Sequence, residues 1–415
     1  MTTTLPLALY GAATGLLEPF APGILRGRAG RGKEDPQRLA ERLGRPTRAR
    51  PAGGLVWLHG VSVGETTSLL PLVGTLRARR PDLTLLVTSG TVTAAQVLAQ
   101  RLPGGVIHQF APVDAPGAVR RFLDHWRPDL AVFVESELWP NLIGAASARD
   151  VRLALVSARM TRASADRWAR WPASARAVMG AFDLVLPQDA ATEDRLKRLG
   201  ASPGPRLNLK RVGEALPADP AELERLRAAI GDRKVVLAAS THPGEEPLIA
   251  DAFRAADPGE ALLIVAPRHP ERGPEIAGEL AATRRAAGEA PTGPIHVADT
   301  LGELGLFFRA ADIVVMGGAF APGIGGHNPL EPARIGRPIL TGPHAFNAAD
   351  VYAEMFAEAC AIEAADGVAL ARHLRGLLDN PTIARRMGEA ALAYAARQGA
   401  ALDAAMGLLE PLLPA

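Results

Sequence analysis

Cysteine is almost absent: Cys360 is the single one in 415 residues. One thiol can form neither an intrachain disulfide nor a cysteine metal cage, so packing alone holds the fold, and a reducing compartment, by default the cytoplasm, is expected. Aromatic residues make up only 5%, and no charge sign dominates, with 46 Lys and Arg against 44 Asp and Glu and a net of +2. That balance is far from the one expected of a chain whose main partner is nucleic acid. No uninterrupted apolar run reaches the roughly 20 residues that span a bilayer. The most apolar stretch, 1–25, is broken by Pro6, Glu18, Pro19 and Pro22 and lacks the basic start and small-residue cleavage site of a signal peptide. No G-x-G-x-x-G and no G-x-x-x-x-G-K-[ST] occurs, which removes the main support for dinucleotide dehydrogenases and P-loop NTPases. No Asp-x-Asp occurs and no His lies at ligand spacing on a helix face, so neither a metal nor a cofactor is expected.

What is present is 48% hydrophobic and 22% charged residues, the composition of a soluble globular protein of two or three domains rather than of a disordered or fibrous chain. Residues 26–50 carry nine basic side chains against Glu34, Asp35 and Glu41, a local +6 directly behind the apolar 1–25 stretch. An apolar helix followed by cations suits a segment lying on an anionic membrane face, and equally a solvated basic arm behind a capping helix. From residue 55, apolar runs (55–61, 83–89, 129–136, 152–158, 183–187) alternate with helical stretches, and after a Pro/Gly-rich linker at 201–220 the pattern restarts (234–240, 261–267, 294–299, 312–318, 337–343). Runs of Val, Leu and Ile without polar alternation predict parallel strands buried on both faces, hence two α/β halves and a helical tail from 366. Two such domains in tandem are expected to present their strand ends, and so their binding crevices, to a common cleft.

Four segments stand where such strands end. Ser62-Val63-Gly64-Glu65 follows the first, and Glu65 there suits a plain helix cap or a general base. Glu135-Ser136-Glu137-Leu138-Trp139-Pro140-Asn141 puts two carboxylates on one side of an extended segment, where something must offset their repulsion. Pro267-Arg268-His269-Pro270-Glu271-Arg272 gathers cations that can hold a phosphate. The stretch 317–333 has five glycines in its first ten residues, then Asn328 and Glu331 at a helix start, where amides suit a phosphate and the carboxylate suits ribose hydroxyls.

Taken together and in this order, these segments resemble the 3-deoxy-D-manno-octulosonic acid (Kdo) transferases of lipopolysaccharide synthesis, over nearly the whole chain. The resemblance implies the GT-B fold: α/β, two doubly wound Rossmann-like domains facing each other across a cleft. It implies inverting transfer of Kdo from CMP-Kdo to a lipid A precursor, lipid IVA, at an anionic membrane surface on the cytoplasmic face of the inner membrane, with no nucleic-acid partner. By the same resemblance Glu65 is the general base, and Glu135 and Lys210 stabilise the transition state. Pro267 and Arg268, the turn Leu301-Gly302-Glu303, and Asn328, Pro329, Leu330 and Glu331 form the CMP site. The expected domains are a membrane-proximal segment at 1–50, an acceptor domain at 51–212, and a donor domain at 213–415 with C-terminal helices. Two alternatives stay open: another GT-B enzyme using a UDP sugar, such as a hexosamine transferase or epimerase, or a non-catalytic nucleotide- or lipid-binding scaffold.

Overall fold

The computed structural model describes all 415 residues. They form two units, Met1–Gly213 together with Gly399–Ala415, and Glu214–Gln398.

The first unit is built on a six-stranded sheet of β1 (Leu55–His59), β2 (Thr84–Ser89), β3 (Ile107–Phe110), β4 (Leu130–Val134), β5 (Arg152–Ala158) and β6 (Leu184–Pro187), in the order β3-β2-β1-β4-β5-β6. Every pair is parallel. Both faces are covered, which is why the strands show no polar alternation. On β1, Leu55 and Trp57 pack with Leu86, Phe122 and Phe133, whereas Val56 and Leu58 pack with Leu72, Val87 and Leu98 on the other face. Full burial of such side chains contributes on the order of 1.5–3 kcal/mol each. The chain winds outward from β1 in one direction through β2 and β3, then returns to β4 on its other side. Side chains following β1 and β4 therefore meet at the point where strand order reverses, the natural crevice of such a sheet.

The second unit repeats the plan with β7 (Val235–Thr241), β8 (Leu262–Pro267), β9 (Thr283–Arg284), β10 (Ile295–Val297), β11 (Ile313–Met316), β12 (Ile339–Thr341) and β13 (Ala361–Glu363), in the order β13-β12-β11-β7-β8-β10-β9 and again parallel. Here β7 is central, so the segments after β7, β8 and β11 share the crevice.

Three strands were not anticipated. In β3, His108 and Gln109 break the apolar run; β9 and β13 span two and three residues. Residues 1–50 form no separate body: helices Leu5–Leu17 and Ala21–Ala29 belong to the first unit. Nor does the second unit keep the whole of 213–415. Its long last helix, Pro381–Leu409, ends with Leu402, Ala405, Met406 and Leu409 in the same apolar cluster as Val56 and Leu58, because these four side chains complete one face of the first sheet.

Candidate active site and donor site

In the first unit, β1 leads through Gly60 into the helix Val63–Ser68. A Cβ on residue 60 would lie 3.1 Å from Glu65 Cβ and 3.2 Å from Val134 Cγ2, so the missing side chain lets the first helical turn settle against the end of β4. Ser62 caps that helix in a capping box: Glu65 N donates to Ser62 Oγ at 3.3 Å, while Glu65 Oε2 accepts from Val61 N at 2.6 Å and Ser62 N at 3.1 Å. Capping thus uses one carboxylate oxygen, Oε2.

β4 stops at Val134, and Glu135 turns the chain with φ +54°. The expected extended segment with Glu135 and Glu137 on one side is therefore not what forms. The turn brings both carboxylates to the crevice by another route. Glu135 is buried and ion-paired with Lys210. Lys210 is held there by its own segment: the Asn208 side chain accepts from Lys210 N at 3.1 Å, Leu209 is buried, and Leu209 N donates to Ser157 Oγ at 3.2 Å at the end of β5.

Glu137 has a side chain only 12% exposed and accepts a hydrogen bond from Trp139 Nε1. Burial above all, then the charge of Glu65, pushes its carboxyl up to about 7, the Trp139 bond opposing and Glu135 adding a little. His59 Nε2 stands 3.9 Å from Glu137 Oε2, but burial and then Arg42 push this imidazole down to about 3, so the contact is not an ion pair near neutral pH. Three carboxylates and one ammonium thus share the crevice, and Glu137 titrates near neutrality. Such a group can take a proton from a hydroxyl and balance positive charge developing on a sugar carbon.

In the second unit, β8 ends at Pro267 and delivers Arg268. The glycine loop after β11 is fastened by buried Glu245, whose carboxylate accepts from His242 N at 2.9 Å, Gly318 N at 2.6 Å and Phe320 N at 2.8 Å. Asn328 Oδ1 accepts from Leu330 N at 3.1 Å, while Leu330 itself is buried and leaves only its backbone for a ligand. Burial raises the Glu331 carboxyl, opposed by Arg334 and then Arg268. A carboxylate kept half-desolvated beside a guanidinium suits ribose hydroxyls. Burial above all lowers His242 and His327, with Arg268 adding to the lowering of both.

Two expected members differ. Arg272 turns away from the cation cluster to buried Glu246, Nη1 to Oε1 2.7 Å. The turn at 301–303 follows β10 with Leu301 exposed and Gly302 at φ +81°, but the Glu303 carboxylate is taken by Arg285, Nε to Oε2 2.7 Å, and by Thr300. Its backbone is what remains to meet a nucleotide.

Residues 37–212 match the family described as 3-Deoxy-D-manno-octulosonic-acid transferase (kdotransferase). A transferase of that description from Rickettsia bellii is 33% identical over 420 residues, 98% of this chain and 100% of the relative. Another from Bordetella pertussis is 36% identical over 88% of each chain. The chain belongs to the Kdo transferases. In fold it is a GT-B protein: a glycosyltransferase structure from Rickettsia africae superposes with TM-score 0.57 over 87% of this chain and 99% of its own, at 10% identity.

As a Kdo transferase the chain holds functional candidates that the residue pattern did not single out. His59 looked like one more residue of an apolar strand, and His242 and His327 lie 85 positions apart. Only the parallel pairing of β7 with β11 brings those two together at the crevice. Asn141, within the Glu135–Asn141 segment, donates from Nδ2 to Thr14 Oγ1 at 2.9 Å, tying the carboxylate turn to the first helix of the chain. Beside it a groove of about 310 Å³ is lined by Tyr10, Leu17, Ile24, Val113 and Trp139. No helix is long and apolar enough to cross a membrane.

Proposed function

We propose that the chain transfers Kdo from CMP-Kdo to a hydroxyl of a lipid A precursor, lipid IVA, in one inverting displacement at the cytoplasmic face of the inner membrane. The observation that carries this reading is the meeting of Glu65, the Glu135–Lys210 pair and Glu137 where the strand order of the first sheet reverses. The acceptor oxygen forms its bond to the anomeric carbon as the bond from that carbon to the CMP phosphate breaks. The electron pair leaves with the phosphate, and the hydroxyl proton passes to Glu65. Glu135 and Lys210 face the sugar as charge develops on it. Arg268, the amides at 301–302 and the Asn328–Glu331 segment hold the nucleotide, whose phosphate departs toward cationic groups. The apolar groove beside Trp139 suits the acyl part of the acceptor.

Incubation with CMP-Kdo and tetraacyl lipid A precursor, followed by mass spectrometry, tests the whole reading: a product heavier by Kdo residues is expected. Turnover of a UDP sugar but not of CMP-Kdo would replace it with the alternative GT-B chemistry, and binding without any product would favour a scaffold.

A further inference from the structure

Three strands of the second sheet end in imidazoles or guanidinium. β7 leads into His242, β8 into Arg268 and His269, and the loop after β11 returns with His327. The rings of His242 and His327 meet edge to edge, centroids 5.2 Å apart and 8° from parallel, with their Nε2 atoms 2.9 Å apart. Two ring nitrogens at that distance share one hydrogen: one donates and the other accepts. Two imidazolium rings would set N–H against N–H. The pair therefore carries no charge or one charge, never two.

The surrounding chain is shaped to this pair. Gly318 has φ +74°, and a Cβ there would come within 2.9 Å of His327 Cδ2, so any side chain at 318 collides with the ring. Tyr352 Oη donates to the His327 carbonyl at 3.2 Å, fixing that backbone. The charged groups facing the pair are few. Glu245 lies against His242 but is saturated by three amides, and Glu246 is occupied by Arg272 and Thr241. His269 stands edge-on to His242 at 6.0 Å, and Arg268 acts on both rings. Burial first, then neighbouring charge, lowers both imidazoles, His327 to about 4; for His242 the Glu245 and Glu246 carboxylates oppose that lowering. The pair is thus neutral near pH 7, while Arg268 supplies permanent charge.

We propose that His242 and His327 form a one-proton clamp for the donor phosphate: the neutral pair takes up a single proton as the phosphate of a cytidine nucleotide docks beside Arg268. This rests on the nucleotide reading of the second unit given above and adds two phosphate-binding residues and a proton linkage to it. An anion within about 4–6 Å favours the charged imidazole by roughly 1–3 pKa units. The proton comes from solvent and returns there when CMP leaves. Charge on the pair also favours bond cleavage over substrate binding, because the phosphate is a singly charged diester in the donor and gains charge as it departs.

Calorimetric titration of the full chain tests this. The probe is the methyl ester of CMP, a diester whose charge is fixed, in buffers of different ionisation heat between pH 6 and 8.5, with cytidine and inorganic phosphate as further arms. At pH 6 the ester should take up a fraction of a proton, never more than one, falling toward zero by pH 8.5, while cytidine takes up none. Ester affinity should fall roughly tenfold over that range. The single variants His242→Gln and His327→Gln should shift the uptake curve. The double variant should abolish uptake and flatten the affinity profile while still binding cytidine. Nitrogen NMR of the parent's imidazoles during the same titration reads the protonation directly, whatever the variants do to folding. Ester binding without proton uptake, uptake of two protons, or uptake unchanged in the double variant overturns the clamp alone. Absence of any ester binding overturns the clamp together with the placement of the nucleotide in this unit.

Discussion

In the proposed reaction Glu65 has two jobs for its two oxygens. Oε2 closes the capping box on Val61 and Ser62, and the proposed base function needs an ionised carboxylate that a cap alone does not. Glu65→Gln separates them, since its amide oxygen can still accept from the backbone but cannot take a proton. Turnover should fall at least a hundredfold in a single-turnover assay. The melting temperature should move only as far as about 0.5–2 kcal/mol of weakened cap allows. A variant keeping a tenth of parental turnover would shift the base to Glu137. The latter makes its own prediction through pH. Its folded pKa, about 7, lies above its ordinary 4.5, so the folded chain binds more protons between those values. Glu137 therefore costs nothing below about pH 4.5 and destabilises progressively as pH rises through 7, by on the order of 2–3 kcal/mol. Glu137→Gln should melt higher than the parent at pH 8.5 and nearly the same at pH 4.5. An equal difference at both values would mean that the carboxyl is not held protonated. Glu135 and Glu137 stood out in the sequence because two carboxylates closing an apolar strand need something to offset their repulsion, whereas Glu65 read as a helix cap until the family resemblance marked it. The His59 contact with Glu137 was not legible, because it depends on which residues face each other across β1 and β4, a tertiary fact that leaves no mark on spacing.

The same distinction holds for whole elements. Strands buried on both faces announce themselves as apolar runs, and ten of the thirteen were read from them. β3 was hidden because Gln109 and His108 interrupt its apolar run and find partners inside the fold, Gln109 Oε1 accepting from Trp126 Nε1 at 2.9 Å and His108 Nε2 meeting Ser89 Oγ at 2.9 Å. Very short edge strands such as β9 give too little period to detect. The glycine loop was visible as composition, but its close approaches were not: Gly318 at positive φ makes room for the His327 ring, while Gly325 and Gly326, also at positive φ, fit against Phe346, Asn347 and Ala345. Gly318→Ala is accordingly expected to weaken cytidine nucleotide binding at least tenfold, because the methyl group at 2.9 Å must displace the His327 ring and the backbone at φ +74° is strained by about 1–2 kcal/mol for a residue other than glycine. Equilibrium binding with the methyl ester of CMP measures it, and parental affinity would show that the loop tolerates a repacked ring.

At the scale of the molecule, the two ends of the chain both belong to the first unit. Leu409, almost fully buried, sits in the cluster with Val56 and Leu58, so Leu409→Ala should cost about 2–5 kcal/mol, seen as earlier unfolding of the first unit with nucleotide binding retained. The amino-terminal end instead leaves apolar side chains in solvent. Leu5, Leu9, Leu16, Phe20 and Ile24 are exposed and recur at helical spacing, while polar contacts hold the same helices down: Tyr10 to Asp114 at 2.9 Å and Arg121 to Glu18 at 2.9 Å. Of the nine cations behind them, Arg28, Arg38, Arg42 and Arg50 are drawn inward to Glu34, Glu41 and backbone carbonyls, leaving Arg26, Arg31, Lys33, Arg45 and Arg48 facing solvent. We propose that this exposed apolar stripe, flanked by five solvent-facing cations, rests on an anionic bilayer, where each cation would contribute about 1 kcal/mol and the apolar side chains a part that does not depend on lipid charge. Two sets of variants divide the contributions. Replacing the five cations by Gln should remove the preference for anionic over neutral vesicles in co-sedimentation and the weakening of binding by salt. Replacing Leu9, Leu16, Phe20 and Ile24 by Ser should weaken binding to both kinds of vesicle. Because all nine side chains are exposed, neither set should change the melting temperature. Equal binding of the parent to neutral and anionic vesicles, or no loss on neutralising the five cations, would leave this face without its electrostatic role.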